Sequence, residues 1–405
     1  MATSYLAPGL YVEERSTGAR PIEAVGTSTA AFLGEPPDPG AHSGVAHAVN
    51  SWTEFQRTFV GKASASTLLS HAVFGFFLNG GRRCYVVNTR ECGLIKGLQS
   101  LERVDDVNIV AAPGMTDIQT YEAVLSHCEA ANNRFAILDA PRDVEDIGTL
   151  TRAGMLTETG KPGAPAQPAA GAAQDGEQGA DEGAGVGARD SNNGAFYFPW
   201  FRTRDALASG ANDIVTVPPS GHMAGVYART DALRGVHKAP ANERVNGALG
   251  LTYLVTDSEQ AVLNPAGVNC IRMFQGGVRV WGARTTARTD IEWRYINVRR
   301  LFMMICQSIR AGTRWVVFEP NDRPLWQQIT GQITAFLLTI WRDGALAGAT
   351  QEEAFFVKCD AEVNPPEEID NGRVIVVIGI APVKPAEFVI FRIGQGVGST
   401  DLETV

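Results

Sequence analysis

The residues best equipped for chemistry are the cysteines, the histidines and the glycine-spaced loops. Cys84, Cys92, Cys128, Cys270, Cys306 and Cys359 include no Cys-x-x-Cys pair and no histidine at ligand spacing, so a structural zinc has no ligand set. Several stand in apolar runs such as Leu301-Phe302-Met303-Met304-Ile305-Cys306, where a reduced thiol acts as a small hydrophobe. His42 and His47 lie in a glycine-bearing loop without a carboxylate cluster, and His222 follows Gly221 at a helix start; packed or solvated imidazoles are expected at all three. Gly183-x-Gly185-x-Gly187 and Gly394-x-Gly396-x-Gly398 have the spacing of phosphate loops, but neither joins a buried strand to a helix, and there is no Walker-type lysine loop. No catalytic, cofactor-binding or metal-binding residue is expected.

A serine nucleophile is the remaining option. Gly26-Thr27-Ser28-Thr29-Ala30 resembles the nucleophile segment of subtilisin-like serine proteases, where a histidine removes the serine proton. In those enzymes the aspartate and histidine precede the serine, whereas little precedes Ser28, and no histidine here sits in a His-Gly-Thr setting. A plain strand is the expectation at this pentapeptide, with a hydrolase as the reading to be tested against it.

The elements that would position any site come from periodicity. The 405 residues, 44% hydrophobic and 20% charged, suffice for two or three domains. A net charge of -9 gives no basic field for a phosphate backbone, so nucleic acid is not an expected partner. No eighteen-residue apolar window and no signal-type start occur, so neither a membrane span nor membrane insertion is expected. Cysteine usage points to a reducing cytoplasm.

Strands are predicted at Val25 to Leu33, Cys84 to Val87, Val107 to Ala111, Phe135 to Asp139 and Ile214 to Val217. Helices are predicted from an N-cap at Ser51, over Leu68 to Phe77, around Tyr121 to Ala131, over Tyr295 to Ile309 and over Leu325 to Trp341. Alternating strand and helix argues for an α/β sheet layered by helices. Further strands are predicted at Trp315 to Phe318, Phe355 to Cys359, Val374 to Ile380 and Phe388 to Ile393. Residues 160–193, almost devoid of branched apolar side chains, read as a loosely ordered surface insertion.

Both ends carry β-prone stretches beyond glycine or proline: Leu10, Tyr11, Val12 and Glu13 near the start, and Phe388, Val389, Ile390 and Phe391 near the close. Lone strands either fold back on their own sheet or add to a neighbour's, and pattern alone leaves both open.

Several stretches together resemble the tail sheath proteins of contractile phages and phage-tail-like contractile injection systems. Pro8-Gly9-Leu10-Tyr11-Val12-Glu13-Glu14 resembles the family's opening arm, and Thr27-Ser28-Thr29-Ala30-Ala31-Phe32-Leu33-Gly34 its first core strand. Phe76 to Val87, Val217 to Asp231, Gly235 to Asn242, Leu263 to Asn269, Val280 to Thr285 and Tyr295 to Leu301 continue the match in order. Ala381-Pro382-Val383-Lys384-Pro385-Ala386-Glu387-Phe388-Val389-Ile390-Phe391 is similar to its terminal arm. The 160–193 segment has no counterpart.

The resemblance implies an α/β protein with a subtilisin-like core lacking catalytic residues, an α+β C-terminal domain, and extended terminal β arms. Its divisions are an arm over 1–24, the sheath domain over 25–285, a tube-facing domain over 286–382 and a C-terminal arm over 383–405. It implies a non-enzymatic homo-oligomer, six-fold rings stacked around an inner tube protein, with baseplate and terminal cap proteins as further partners. Assembly is expected in the cytoplasm as part of a phage-tail-like particle. Leu10 to Glu13, Val374, Ile375, Val376, Val377 and Phe388 to Phe391 are the expected inter-subunit strands; Arg323, Arg342 and Asp343 are the candidate tube contacts. A monomeric binding module, with both arms docked in cis, is the third reading.

Overall fold

Short, nearly continuous apolar runs such as Ala30–Gly34, Cys84–Asn88 and Phe135–Asp139 become strands whose two faces are both covered. A computed structural model describes residues 21–63, 65–154, 185–208 and 213–390. In chain order the strands are β1 (Ala30–Gly34), β2 (His47–Val49), β3 (Cys84–Asn88), β4 (Ile109–Ala111), β5 (Phe135–Asp139), β6 (Gly194–Phe198), β7 (Phe201–Arg204), β8 (Ile214–Val217), β9 (Gly250–Leu251), β10 (Val268–Phe274), β11 (Gly277–Trp281), β12 (Phe355–Lys358) and β13 (Val377–Ile380). The main sheet has eight strands in the order β11-β10-β6-β5-β4-β1-β3-β2. The inner six run parallel, and β11 and β2 close the two edges antiparallel.

The helices are α1 (Trp52–Phe55), α2 (Leu68–Leu78), α3 (Gly93–Leu101), α4 (Ile118–Ala131), α5 (Ser220–Arg234), α6 (Asp257–Leu263), α7 (Ile296–Gly312), α8 (Arg323–Arg342), α9 (Gln351–Ala354) and α10 (Pro366–Asp370). Phe32 pairs in register with Val86 and Ala111, so all three face α2 and α5. Their neighbours Ala31, Leu33, Val87 and Val110 turn the other way, toward α3 and α4. The result is a three-layer body with a core on each side of the sheet. On one side α2 and α5 approach closely because glycines face the contact: a Cβ on Gly75 would stand 2.1 Å from His222 Nδ1, and one on Gly221 2.3 Å from Ala72 Cα.

A third core is separate from these two. The apolar faces of α7 and α8 (Leu301, Ile305, Ile329, Ile333, Leu337) pack with Phe355 and the partly buried Ile378 of the antiparallel β12–β13 hairpin, and Ile22 of the N-terminal segment joins them. Ser51 caps α1 by accepting from the Glu54 N–H, as its position before Trp52 predicts. The predicted strand over Trp315 to Phe318 is absent. Residues Arg314–Val316 make a 3₁₀ turn, and Phe318 is fully exposed in the left-handed region at φ 72°, because no strand among the described residues pairs with this β-prone run. The helix α3 was not predicted.

The surface insertion also needs correction at its end. Its residues 160–184 lie outside the described residues, but 185–193 are ordered. Arg189 makes ion pairs with Glu122 and Glu129 of α4 at 2.7 and 2.8 Å, and Asn193 is buried against the Cys128 carbonyl. A Cβ on Gly187 would lie 2.5 Å from the Leu150 carbonyl oxygen, so this glycine serves a close backbone contact and not a phosphate.

Candidate functional site

The carboxyl ends of the parallel strands are where α/β proteins place chemistry. Here Asp139, ending β5, accepts hydrogen bonds from the Gly114 N–H at 3.0 Å and from the Ser220 N–H and Oγ at 2.7 Å each. Burial pushes its carboxyl up to about 6 against the pull of these donors. Every hydrogen bond its carboxylate makes fastens the start of α5 or the turn after β4, so it braces the fold. Ser28 has no histidine partner among the described residues. Next to it, the Thr27 hydroxyl donates to Asp231 at 2.6 Å, and Asp231 is already held by Arg300. His42 and His47 stack at 4.2 Å beside Phe59, and His222 is buried edge-on to Phe201. None of these groups composes a nucleophile with an oriented base.

The polar groups that do converge lie where the third core meets the body. Arg300 of α7 forks onto Asp231 of α5 at 2.9 and 2.6 Å, donates to the Thr27 carbonyl at 2.9 Å, and lies 4.8 Å from the Tyr227 ring centroid. Both side chains are less than a tenth exposed. Burial works against the Arg300 charge, but Asp231 more than restores it and raises its pKa. One ion pair therefore joins α5, α7 and the segment leading into β1.

A second convergence holds the chain after β13. The Ala381 N–H donates to the Ala354 carbonyl at 2.9 Å and the Val383 N–H to the Ala345 carbonyl at 3.2 Å, keeping this strap on the C-terminal unit. Asn297 Nδ2 donates to the Val383 carbonyl at 3.3 Å. Glu387 then reaches the body. Its carboxylate accepts from Arg284 Nε at 2.9 Å and Nη2 at 2.6 Å, from Asn264 Nδ2 at 2.7 Å and from the Tyr295 hydroxyl at 3.2 Å.

The expected inter-subunit residues fall around this strap. Val374, Ile375 and Val376 form no strand, and Val377 opens β13, which pairs with β12 of its own chain in the register Phe355 to Ile380. The strand expected over Val374 to Ile380 thus begins only at Val377, because Asn364 captures the Ile375 N–H and carbonyl. Phe388, Val389 and Ile390 are 72%, 70% and 79% exposed and carry no strand pairing. Phe391 and Leu10, Tyr11, Val12 and Glu13 lie outside the described residues. Arg323 stands at the N-terminal end of α8 and Arg342 and Asp343 at the other, about 28 Å away along the axis, so the structure does not bring them together.

Arg300 and Glu387 had no assigned role in the sequence. Arg300 had a legible signal, being a charge at i+4 from Ile296 on the apolar stripe of α7. Glu387 had none, since its partners are 92 to 123 residues away.

Comparisons with known proteins follow this architecture. The model of the phage tail sheath protein central domain matches residues 93–286, and that of the phage tail sheath C-terminal domain matches 288–395. The tail sheath protein of Salmonella phage ViI is 25% identical over 312 residues, 73% of this chain and 45% of its own length. That of Burkholderia phage BcepMu is 30% identical over 168 residues, 39% and 34% respectively. The matches to these two curated relatives span less than half of their lengths. Two solved structures match nearly end to end. The contracted sheath complex of PVC, an extracellular contractile injection system, has a TM-score of 0.76 at 31% identity, covering 98% of this chain and 99% of that one. The contracted helical sheath of the anti-feeding prophage has a TM-score of 0.72 at 30% identity, covering 97% and 100%. These relatives and neighbours are structural sheath proteins and not enzymes. Two domain models in sequence and a full-length structural match place the chain in the phage tail sheath protein family.

Proposed function

We propose that the chain is the structural subunit of a contractile sheath, which stacks as six-fold rings around an inner tube and contracts to drive the tube through a target envelope. The observation that carries this reading is a two-stranded sheet with unpaired outer edges among the described residues, beside an extended segment, Phe388 to Ile390, that is apolar, exposed and unpaired. Unpaired edges accept strands, and unpaired strands seek edges. In this proposal Leu10 to Glu13 and Phe388 to Phe391 of neighbours flank the β12–β13 hairpin, so that Val377 lies in a composite sheet. Val374, Ile375 and Val376 would lead into it.

The same proposal reads the body, 25–285, as a subtilisin-like scaffold whose catalytic groups have been replaced by structural ones. It places the 286–382 unit against the tube through α8. The exposed flank of that helix is small and uncharged at Gly331, Ala335 and Thr339, which suits close approach, with Arg323, Arg342 and Asp343 setting register from its two ends. Baseplate and cap proteins would bound the polymer, and assembly would take place in the cytoplasm. The free energy of contraction would reside in subunit interfaces with two packings, without a nucleotide. The monomeric alternative requires the C-terminal arm to dock in cis, and Phe388 to Ile390 have no such seat among the described residues.

Negative-stain electron microscopy of the purified chain tests the reading. Hollow ridged cylinders are expected, either alone or on co-expression with a tube protein. Monodisperse small particles under both conditions would sink it.

A further inference from the structure

The strap from Ala381 to Glu387 has a feature that strand exchange alone does not require. Its two ends are fastened to different units. Ala381 and Val383 are hydrogen-bonded to the backbone of the C-terminal unit, whereas Glu387 is bound through Arg284 and Asn264 to the α/β body, with the Tyr295 hydroxyl before α7 as a longer third contact. The receiving end is rigidly built. Asn269 of β10, fully buried, donates from Nδ2 to the Arg284 carbonyl at 2.7 Å and accepts from the Arg284 N–H at 2.7 Å. Gly282 leaves room for this, because a Cβ there would stand 2.8 Å from the Asn269 Cα. Arg284 is thereby fixed to the sheet, and its guanidinium forks onto both Glu387 oxygens with side-chain exposures of 10% and 18%. Asn264, at the C-terminal end of α6, and Tyr295, immediately before α7, supply the remaining donors.

We propose that Glu387 is a positioning residue that bolts the root of the C-terminal arm to the α/β body, so that the exposed segment Phe388 to Ile390 leaves from a fixed point and in a fixed direction. The proposal rests on the strand-exchange reading and adds what aims the strand. A buried pair is a poor device for stability, since apolar side chains of similar volume do as well or better. Its distinguishing property is direction: four donors around one carboxylate accept only one approach of the backbone. Burial opposes the Glu387 charge, and the Arg284 and Asn264 hydrogen bonds outweigh it, holding the carboxyl below its usual range.

The test is peptide-resolved hydrogen exchange on the purified full-length chain, with electron microscopy of its assemblies. Glu387→Gln keeps the shape and removes the charge. Exchange in peptides covering the hydrogen-bonded Ala381 and Val383 amides is expected to rise about tenfold or more, with α4 and β5 unchanged, and long regular cylinders are expected to give way to short or irregular ones. Arg284→Lys keeps the charge and removes the fork, and an intermediate rise is expected. Unchanged exchange at Ala381 and Val383, an equal rise throughout the body, or unfolding of both variants would each overturn the assignment. Val389→Pro separates the two ideas: normal cylinders from that variant defeat strand exchange while the exchange data still decide the role of Glu387.

Discussion

Asp231 and Arg300 share a site in which neither is solvated, so the consequence of losing one is set by the charge left behind. Arg300→Ala leaves the Asp231 carboxylate buried with only the Thr27 hydroxyl and should cost about 3–5 kcal/mol. The double variant Asp231→Leu with Arg300→Met should recover most of that loss. Thermal unfolding of the two variants is the check, and equal losses from both would defeat the argument. His222 gives a second prediction. Burial first, and then the nearby His71, lower its pKa to about 3, and neither ring nitrogen has a partner among the described residues. A base with a depressed folded-state pKa contributes stability that is present above its ordinary value near 6.5 and is lost as pH falls toward 3. His222→Leu should therefore flatten the acid limb of the denaturation midpoint between about pH 6 and pH 4. An unchanged limb would show that the unfolding charge lies elsewhere.

At the scale of elements the β12–β13 hairpin and the strap are the parts in which pairing is incomplete. A two-stranded ribbon is marginal alone, and this one is supported on one side by α8 and left with unpaired edges among the described residues. Val389→Pro removes one ladder donor and fixes φ in the exposed segment without touching any of the three cores. Circular dichroism and melting temperature should match the parent while cylinder formation is lost; normal cylinders would count against exchange at this strand. Helix prediction succeeded where the apolar stripe was long, as in α7 and α8. Strand prediction at Trp315 to Phe318 failed because β-branched and aromatic residues report a fit to a half-buried pleated surface, and among the described residues no strand pairs with this run. The run at Val374 to Ile380 failed in its first half for a related reason, since the side chain of Asn364 took the hydrogen bonds a partner strand would have used.

For the whole molecule the proposed polymer separates folding from assembly. Deleting residues 1–19, a segment outside the described residues, should abolish long cylinders and leave the α/β body folded, as judged by circular dichroism and electron microscopy. Global unfolding of the truncated chain would show that the segment belongs to its own core. The sequence by itself determined the alternation of strands and helices, the apolar stripes of α7 and α8, the cap at Ser51 and the family, because each is written in residues close together along the chain. It also determined that no histidine is set to serve Ser28. Only the tertiary structure decided that Arg300 answers Asp231 from 69 residues away, that Glu387 answers Arg284 from 103 away, and that Phe388 to Ile390 stay uncovered. A charge on an apolar stripe announces that it needs a partner but not which one. Direction and distance between far segments follow from how the sheet, the two helical layers and the hairpin pack, and that information is held by no short stretch of the chain.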